Sequence, residues 1–141
     1  MSSDVELRVP PDVLYVGLAR LVVTAAARQS GLDDGRIEDL KIAVSEATTN
    51  AIRAHQRVNE SRPVELVFGP DHEGFRVTIR DTGPGFEPPP EPSGDRDLTE
   101  EGGLGVTLIR GLADSVTYQA GSGTRVHMTF TVGTSESNGQ G

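Results

Sequence analysis

Three short segments of the chain carry residue types that a nucleotide site needs. Glu46 and Asn50 are four positions apart, which puts a carboxylate and a carboxamide on one edge of a helix. Asp81 directly follows an apolar strand pattern and opens the glycine-containing segment 81–86. Segment 102–107 places glycines where a helix is predicted to begin, and free backbone N–H groups there can bind phosphate. Each pattern is common alone, but the three in this order predict one nucleotide site.

The order of these segments resembles the Bergerat-fold ATPases shared by DNA gyrase B, heat-shock chaperone ATPases and sensor histidine kinases. Within that group the chain is most similar to the small bacterial anti-sigma factor serine kinases. Ser45–Ile52 reads S-E-A-T-T-N-A-I and reproduces their N-box, and 103–108 matches their last glycine box. A Gly-Ser-Gly-Thr segment at 121–124 closes the series. The resemblance covers roughly residues 5–132.

The resemblance implies an α+β two-layer sandwich, the Bergerat or histidine-kinase-like ATPase fold, with a mixed, mainly antiparallel sheet and helices on one face. The element order β-α-α-β-β-α-β-β, taken from the hydrophobic pattern, predicts the same layout. For function, the resemblance implies an ATP- and magnesium-dependent protein serine kinase. Its implied partners are a sigma factor, which it holds inactive, and an anti-sigma factor antagonist protein, which it phosphorylates; a homodimer is left open.

Individual residues then receive roles. The resemblance implies that Asn50 is the magnesium ligand and that Glu46 is the base activating the attacking hydroxyl. The Asp81 carboxylate accepts but cannot donate a hydrogen bond, so it would select the exocyclic amine of adenine over the carbonyl of guanine. Thr124 resembles the family's threonine that supports this contact. The other residues of the predicted ATP site lie in the glycine boxes: Gly83, Gly85, Gly103, Leu104, Gly105, Val106 and Thr107.

Each of these residues also has a simpler interpretation. Glu46 alone would be read as a solvated acid on a helix surface, and Asp81 as a residue that ends a strand. The glycines after Asp81 alone would indicate an ordinary Pro-Gly turn. Asn50, however, is unfavourable in the middle of a helix, because its side chain competes for backbone partners. A role as an oxygen ligand for magnesium gives it a reason to be there.

Two departures from the family pattern keep other functions open. Glu100 and Glu101 stand where these kinases often carry a basic residue, and two acids there repel phosphate; Arg96, just upstream, is a candidate replacement. Ala54 holds the place of a family histidine, and the following His55 is assigned no role. The alternatives are a non-catalytic ATP-binding regulator that sequesters its partner, and a nucleotide-binding relic with no sigma factor partner.

Composition predicts one small domain. The chain has 141 residues, so residues 1–132 are expected to form a single ATPase domain and 133–141 a disordered tail. The chain has no cysteine, which excludes disulfides and thiolate sites. A net charge of −8 argues against direct binding to nucleic acid. No run of 18 apolar residues and no signal-peptide pattern is present, so we expect no membrane association and a cytoplasmic protein.

The hydrophobic pattern places the elements around these segments. Asp12 is predicted to cap a first helix that reaches about Gln29, with apolar residues at helical spacing (Leu14, Leu18, Leu21, Val22 and Ala25). Asp33 or Asp34 opens a second helix that reaches about Arg57. The further predicted elements are strands at 5–9, 64–69, 75–80, 115–120 and 125–132, a helix at 103–114, and a lid at 83–102. Arg110 and Asp114 are predicted to form an ion pair on that last helix.

Overall fold

The computed structural model describes residues 4–72, 74–82, 109–121 and 123–132. Its regular elements in chain order are β1 (Val5–Val9), a 3-10 helix (Val13–Tyr15), α1 (Val16–Gln29), α2 (Asp34–Arg57), β2 (Val64–Pro70), β3 (Gly74–Asp81), β4 (Ser115–Gly121) and β5 (Gly123–Thr131). Residues 109–112 are also helical. The two-layer α+β fold predicted from the sequence is confirmed.

The five strands form one sheet in the order β1-β2-β3-β5-β4. All four pairings among these strands are antiparallel. The mixed sheet that was expected would contain a parallel pair, and the described strands form none. Alternate residues of the central strands, such as Val77 and Met128, are fully buried against the helices. Their neighbours Thr78 and His127 face the other side and pair through a 2.7 Å hydrogen bond. The described helices therefore lie on one face of the sheet.

Helix α2 is the element that the sequence pattern defines best. It begins after Asp33, whose carboxylate accepts a 2.9 Å hydrogen bond from the Arg36 N–H, as expected of an N-cap. The predicted apolar stripe is buried throughout and packs on β3 and β5: Ile37, Leu40, Val44, Ala47 and Ala51. The helix ends at Arg57, as predicted.

Helix α1 turns a different face to the core from the one its leucines suggest. Asp12 caps the preceding 3-10 helix and not α1: its carboxylate accepts a 3.0 Å hydrogen bond from the Leu14 N–H, whereas the N-cap of α1 is Tyr15, which makes no side-chain capping bond. However, Leu14, Leu18 and Leu21 are 81%, 47% and 65% exposed. The buried residues are instead small or β-branched: Ala19, Val23, Thr24 and Ala27. Small side chains let α1 approach α2 closely, because the distance between packed helices depends on the side chains at the contact.

Asp114 does not form the predicted ion pair with Arg110. Its carboxylate instead accepts hydrogen bonds from the Thr131 N–H, at 2.7 Å, and from Arg36 on α2. The Arg110 guanidinium lies over the Tyr118 ring, 5.5 Å from its centroid. Residue 114 lies beyond the described helical turn, so the i, i+4 spacing does not apply. Asp114 ties the end of β5 to α2.

We expect the Asp114 carboxylate to make the free energy of unfolding depend on pH. Burial alone would raise the pKa of Asp114, but hydrogen bonds from Thr131 and Arg36 outweigh it and hold the pKa below its usual 3.8. The stabilisation is therefore complete above the unfolded-state pKa and is lost as pH falls through the folded-state pKa. Urea unfolding should show Asp114→Asn destabilised by about 1 kcal/mol at pH 7, a value that allows for partial exposure. This difference should shrink below about pH 4.

The exposed Glu6→Gln variant is the control, because Glu6 lies on β1, at the opposite edge of the sheet from β4 and away from these contacts. A difference between wild type and Asp114→Asn that stays constant from pH 7 to pH 3 would contradict the assignment.

Candidate nucleotide site

A pocket opens between the second half of α2 and the ends of β3, β4 and β5. Its described lining combines apolar walls with a few polar groups: Ala47, Asn50, Ala51, Ala54, Arg57, Ile79, Asp81, Ile109, Tyr118, Thr124 and Val126. Apolar walls with a few convergent polar groups are typical of a small-molecule site. Three residues that the sequence singled out, Asn50, Asp81 and Thr124, meet here.

The α2 wall is open because its side chains are small. Ala47, Ala51 and Ala54 follow at intervals of four and three residues, so they lie along one face of the helix. Asn50 is half-buried beside them and is one of the pocket's lining residues. Glu46 lies one turn earlier, also half-buried, and is not among the lining residues. Asn50 is thus placed to contact a ligand in the pocket. Glu46 lies beside the pocket, one helical turn away from Asn50.

Asp81 and Thr124 are direct cross-strand partners, although 43 positions separate them in sequence. Asp81 continues the inward-facing row of β3, after the buried Val77 and Ile79, so strand alternation turns its carboxylate toward α2. Asp81 is 6% exposed and Thr124 4%. A carboxylate and a hydroxyl therefore lie side by side at the polar end of the core.

Gly123 allows the two strands to come this close. Its φ is +126°, and a Cβ built on it would lie 2.1 Å from the Asp81 carbonyl oxygen. Gly121, its partner across the β4–β5 turn, has no atom within 4 Å of the equivalent point. A side chain at position 123 would push β5 away from Asp81, whose carboxylate is the acid of the pocket.

Tyr118 is a lining residue that the sequence analysis missed. It lies on β4 opposite Val126, and burial raises the pKa of its hydroxyl to about 12, with Arg110 opposing the shift. The hydroxyl therefore stays protonated at neutral pH. Period-2 spacing with the half-buried Val116 was the available signal, but two residues are too few to identify a buried face.

Two further contacts were not foreseen. His55, which was assigned no role, is fully buried and bonds to Thr82, the residue after Asp81. Arg20 of α1 donates a 3.2 Å hydrogen bond to the Ser45 hydroxyl on α2. Both contacts join residues at least 25 positions apart, so no local pattern indicates them.

Several predicted features lie outside the described residues. These are the glycine-box residues Gly83, Gly85, Gly103, Leu104, Gly105, Val106 and Thr107, the lid at 83–102 with Arg96, Glu100 and Glu101, and the tail at 133–141.

The described residues fit a magnesium ion that is bound mainly by the phosphates of a nucleotide. Within the four described ranges, no three His, Cys, Asp or Glu side chains cluster as a metal site. Magnesium keeps several waters and is commonly bound by one or two protein oxygens together with substrate phosphates. The carboxamide oxygen of Asn50 at the pocket wall can be such a ligand. Separately, no helix in the described part of the chain is long and apolar enough to cross a membrane.

Comparison with known proteins adds a family to this geometry. Residues 9–130 match the family described as "Histidine kinase-like ATPase domain". "Serine-protein kinase RsbW" of Bacillus subtilis (strain 168) is 38% identical over an alignment of 136 positions, which covers 91% of this chain and 85% of that protein. The protein of the same name from Staphylococcus aureus (strain MRSA252) is 35% identical over an alignment of 134 positions, which covers 89% of this chain and 84% of that protein.

A solved structure supports the fold independently. The RsbU and RsbW domains of a Mycobacterium tuberculosis protein match with a TM-score of 0.68 at 16% identity. The match covers 92% of this chain and 32% of that longer one. At this identity the likeness shows a shared fold.

Proposed function

This chain belongs to the histidine kinase-like ATPase domain family and is a protein serine kinase, and we propose that it phosphorylates an anti-sigma factor antagonist and sequesters a sigma factor. One observation carries the proposal. The paired Asp81 and Thr124 line the same pocket as Asn50, so polar groups from the sheet and from α2 meet at one site. ATP is the proposed ligand, with its adenine at the sheet and its phosphates toward α2.

At the sheet, Asp81 would accept a hydrogen bond from the exocyclic amine of adenine. Its low exposure supports this role, because a charged hydrogen bond is stronger where water is excluded. Guanine presents a carbonyl at the matching position and would leave the carboxylate facing another acceptor. Thr124 would support the same contact with its hydroxyl.

At the helix, Asn50 would be a ligand of magnesium. A bound magnesium ion would offset the negative charge on the phosphates. Glu46 would accept the proton of the attacking serine hydroxyl. The serine oxygen then bonds to the γ-phosphorus while the bond to the ADP oxygen breaks. The half-buried position of Glu46, one turn from Asn50 on the same helix edge, supports this division of roles.

Exposed leucines in α1 and just before its start support the second part of the proposal, that the protein binds a sigma factor. Large apolar side chains that a monomer leaves in water often mark a protein-binding surface. Leu14 in the 3-10 helix and Leu18 and Leu21 in α1 are such residues. This surface would serve sequestration of a sigma factor, and that role would place the protein in the cytoplasm. It equally favours the second candidate, a non-catalytic ATP-binding regulator that only sequesters its partner.

Adenine selection provides the first test of the site. We expect Asp81→Asn to weaken ATP binding about 5- to 150-fold, the equivalent of losing 1–3 kcal/mol from a buried hydrogen bond. Because an amide can donate as well as accept, the preference for ATP over GTP should also fall. Isothermal titration calorimetry with magnesium-ATP and magnesium-GTP measures both quantities.

Asp71→Asn is the matched control, since Asp71 lies in the β2–β3 turn at the opposite end of β3. It should bind ATP as the wild type does. Equal affinity of the wild type for ATP and GTP would overturn the adenine assignment. Transfer of label from γ-labelled ATP to a candidate antagonist protein then separates the kinase from the non-catalytic regulator.

A further inference from the structure

His55 is a buried, fully bonded side chain at the end of α2. Both ring nitrogens have partners: the Thr82 N–H donates to Nε2 at 2.9 Å, and Nδ1 lies 2.9 Å from the Arg62 carbonyl oxygen. The Thr82 hydroxyl is also 3.5 Å from Nε2. The ring thus joins the helix to two backbone segments that lie far from each other in sequence.

The partners assign the tautomer. A backbone N–H can only donate, so Nε2 must present its lone pair to Thr82. The Arg62 carbonyl can only accept, so Nδ1 must carry the proton. A doubly protonated ring would set Nε2–H against the Thr82 N–H, donor against donor. The geometry therefore requires neutral His55 with its proton on Nδ1.

The turn after α2 holds the Arg62 side of this arrangement. Asn59 adopts a left-handed φ of 56°, as asparagine tolerates at a helix end, and the chain folds back toward the ring. The His55 carbonyl accepts a 2.8 Å hydrogen bond from the Glu60 N–H. Glu60 in turn accepts from the Arg62 side chain at 2.8 Å, and this bond chiefly lowers the pKa of Glu60 to about 2. The acceptor for Nδ1–H is thereby fixed.

The Thr82 side of the arrangement lies next to the pocket. The β3–β5 ladder ends at the Asp81–Thr124 pair, so the next N–H, that of Thr82, bonds to His55. The anchored residue is the immediate neighbour of the acid that lines the pocket. Five positions separate His55 from Asn50, so one helix contributes to the pocket wall and also holds the backbone that carries its acid.

We propose that His55 is a positioning residue for nucleotide recognition: as a neutral ring it anchors Thr82 and so holds the Asp81 carboxylate in the orientation that selects adenine. This inference rests on the proposed adenine contact of Asp81. A small displacement at Thr82 would rotate or withdraw that carboxylate, and the loss would fall on base selection.

The first test reads the tautomer directly in the wild-type chain, without nucleotide. Nitrogen-15 NMR of histidine-labelled protein at neutral pH should show His55 with a protonated Nδ1 and an unprotonated Nε2, and the Thr82 amide should be protected from hydrogen exchange. An imidazolium, the opposite tautomer or a freely exchanging Thr82 amide would overturn the proposal.

The second test uses two variants that differ in which bond they keep. His55→Gln can place its amide oxygen near the Nε2 position and keep an acceptor for Thr82, whereas the shorter His55→Asn reaches only the Nδ1 side. We expect His55→Asn to weaken ATP binding about 10-fold and to lower the ATP-to-GTP preference, because it leaves the Thr82 N–H unsatisfied. His55→Gln should stay within about threefold of wild type in both quantities.

Calorimetric titration, with melting temperatures to confirm folding, compares these variants with His127→Asn. His127 bonds to Thr78 on the open face of the sheet and should not affect nucleotide binding. Unchanged base preference in His55→Asn, or equal losses in both His55 variants, would reduce His55 to a structural residue. A wild type that does not distinguish ATP from GTP would instead refute the proposed role of Asp81.

Discussion

Replacing Glu46 by glutamine is expected to slow phosphoryl transfer at least about 100-fold while ATP affinity changes little. Glutamine keeps the shape of the side chain but cannot take the serine proton. Binding should be spared because Glu46 lies beside the pocket and is not among its lining residues. Single-turnover transfer from γ-labelled ATP to a candidate antagonist measures the rate, and calorimetry measures the affinity.

Two variants on the same helix make this test specific. Glu38→Gln removes an exposed acid that pairs with Lys41 at 3.1 Å, and it should transfer phosphate normally. Asn50→Ala should instead abolish magnesium-dependent ATP binding, because it removes the proposed protein ligand. A Glu46→Gln protein that works at the wild-type rate would exclude Glu46 as the base.

Gly123→Ala is expected to lower the free energy of unfolding by about 3 kcal/mol and to weaken ATP binding in the molecules that remain folded. Two effects add: the positive φ of +126° strains any residue with a Cβ, and that Cβ would lie 2.1 Å from the Asp81 carbonyl oxygen. The strands must separate where Asp81 and Thr124 face each other. Urea unfolding measures the first effect, and ATP titration the second.

Gly121→Ala is the matched control, since it makes the same change two residues away in the same turn. Nothing lies within 4 Å of its added methyl group, and its φ is not in the strained region. It should change stability by less than about 1 kcal/mol. If both variants unfold at the same urea concentration, the close approach at Gly123 does not matter for stability.

Helix α2 shows how far local pattern reaches. A capping aspartate, a stripe at helical spacing and the absence of Gly or Pro inside the stripe all agree, so its bounds and buried face followed from the sequence. The same agreement put Glu46 and Asn50 on the edge of that face. The N-box motif, which lies on this helix, also led to the family that the comparisons confirm.

Helix α1 shows where local pattern fails. Apolar residues occupy two of its faces, leucines on one and alanines with valine on the other. Periodicity detects both faces, but it cannot decide which one the core accepts. Packing against α2 decided it, because the smaller face fits the closer approach, and the leucines remained in water. Local pattern also failed for Asp114, which pairs with Arg36 and not with Arg110. The prediction assumed a helix that includes residue 114, but the described helical residues end at 112.

The sequence by itself determined the residue types of the site, the helices and strands that carry them, and the family. These properties depend on spacings of a few residues, which local chain geometry converts directly into shared faces. Only the tertiary structure decided that Asp81 faces Thr124, that Tyr118 joins the pocket and that His55 anchors Thr82. Those contacts depend on strand register and on the packing of helices against the sheet, which the free energy of the whole core selects and no local spacing encodes.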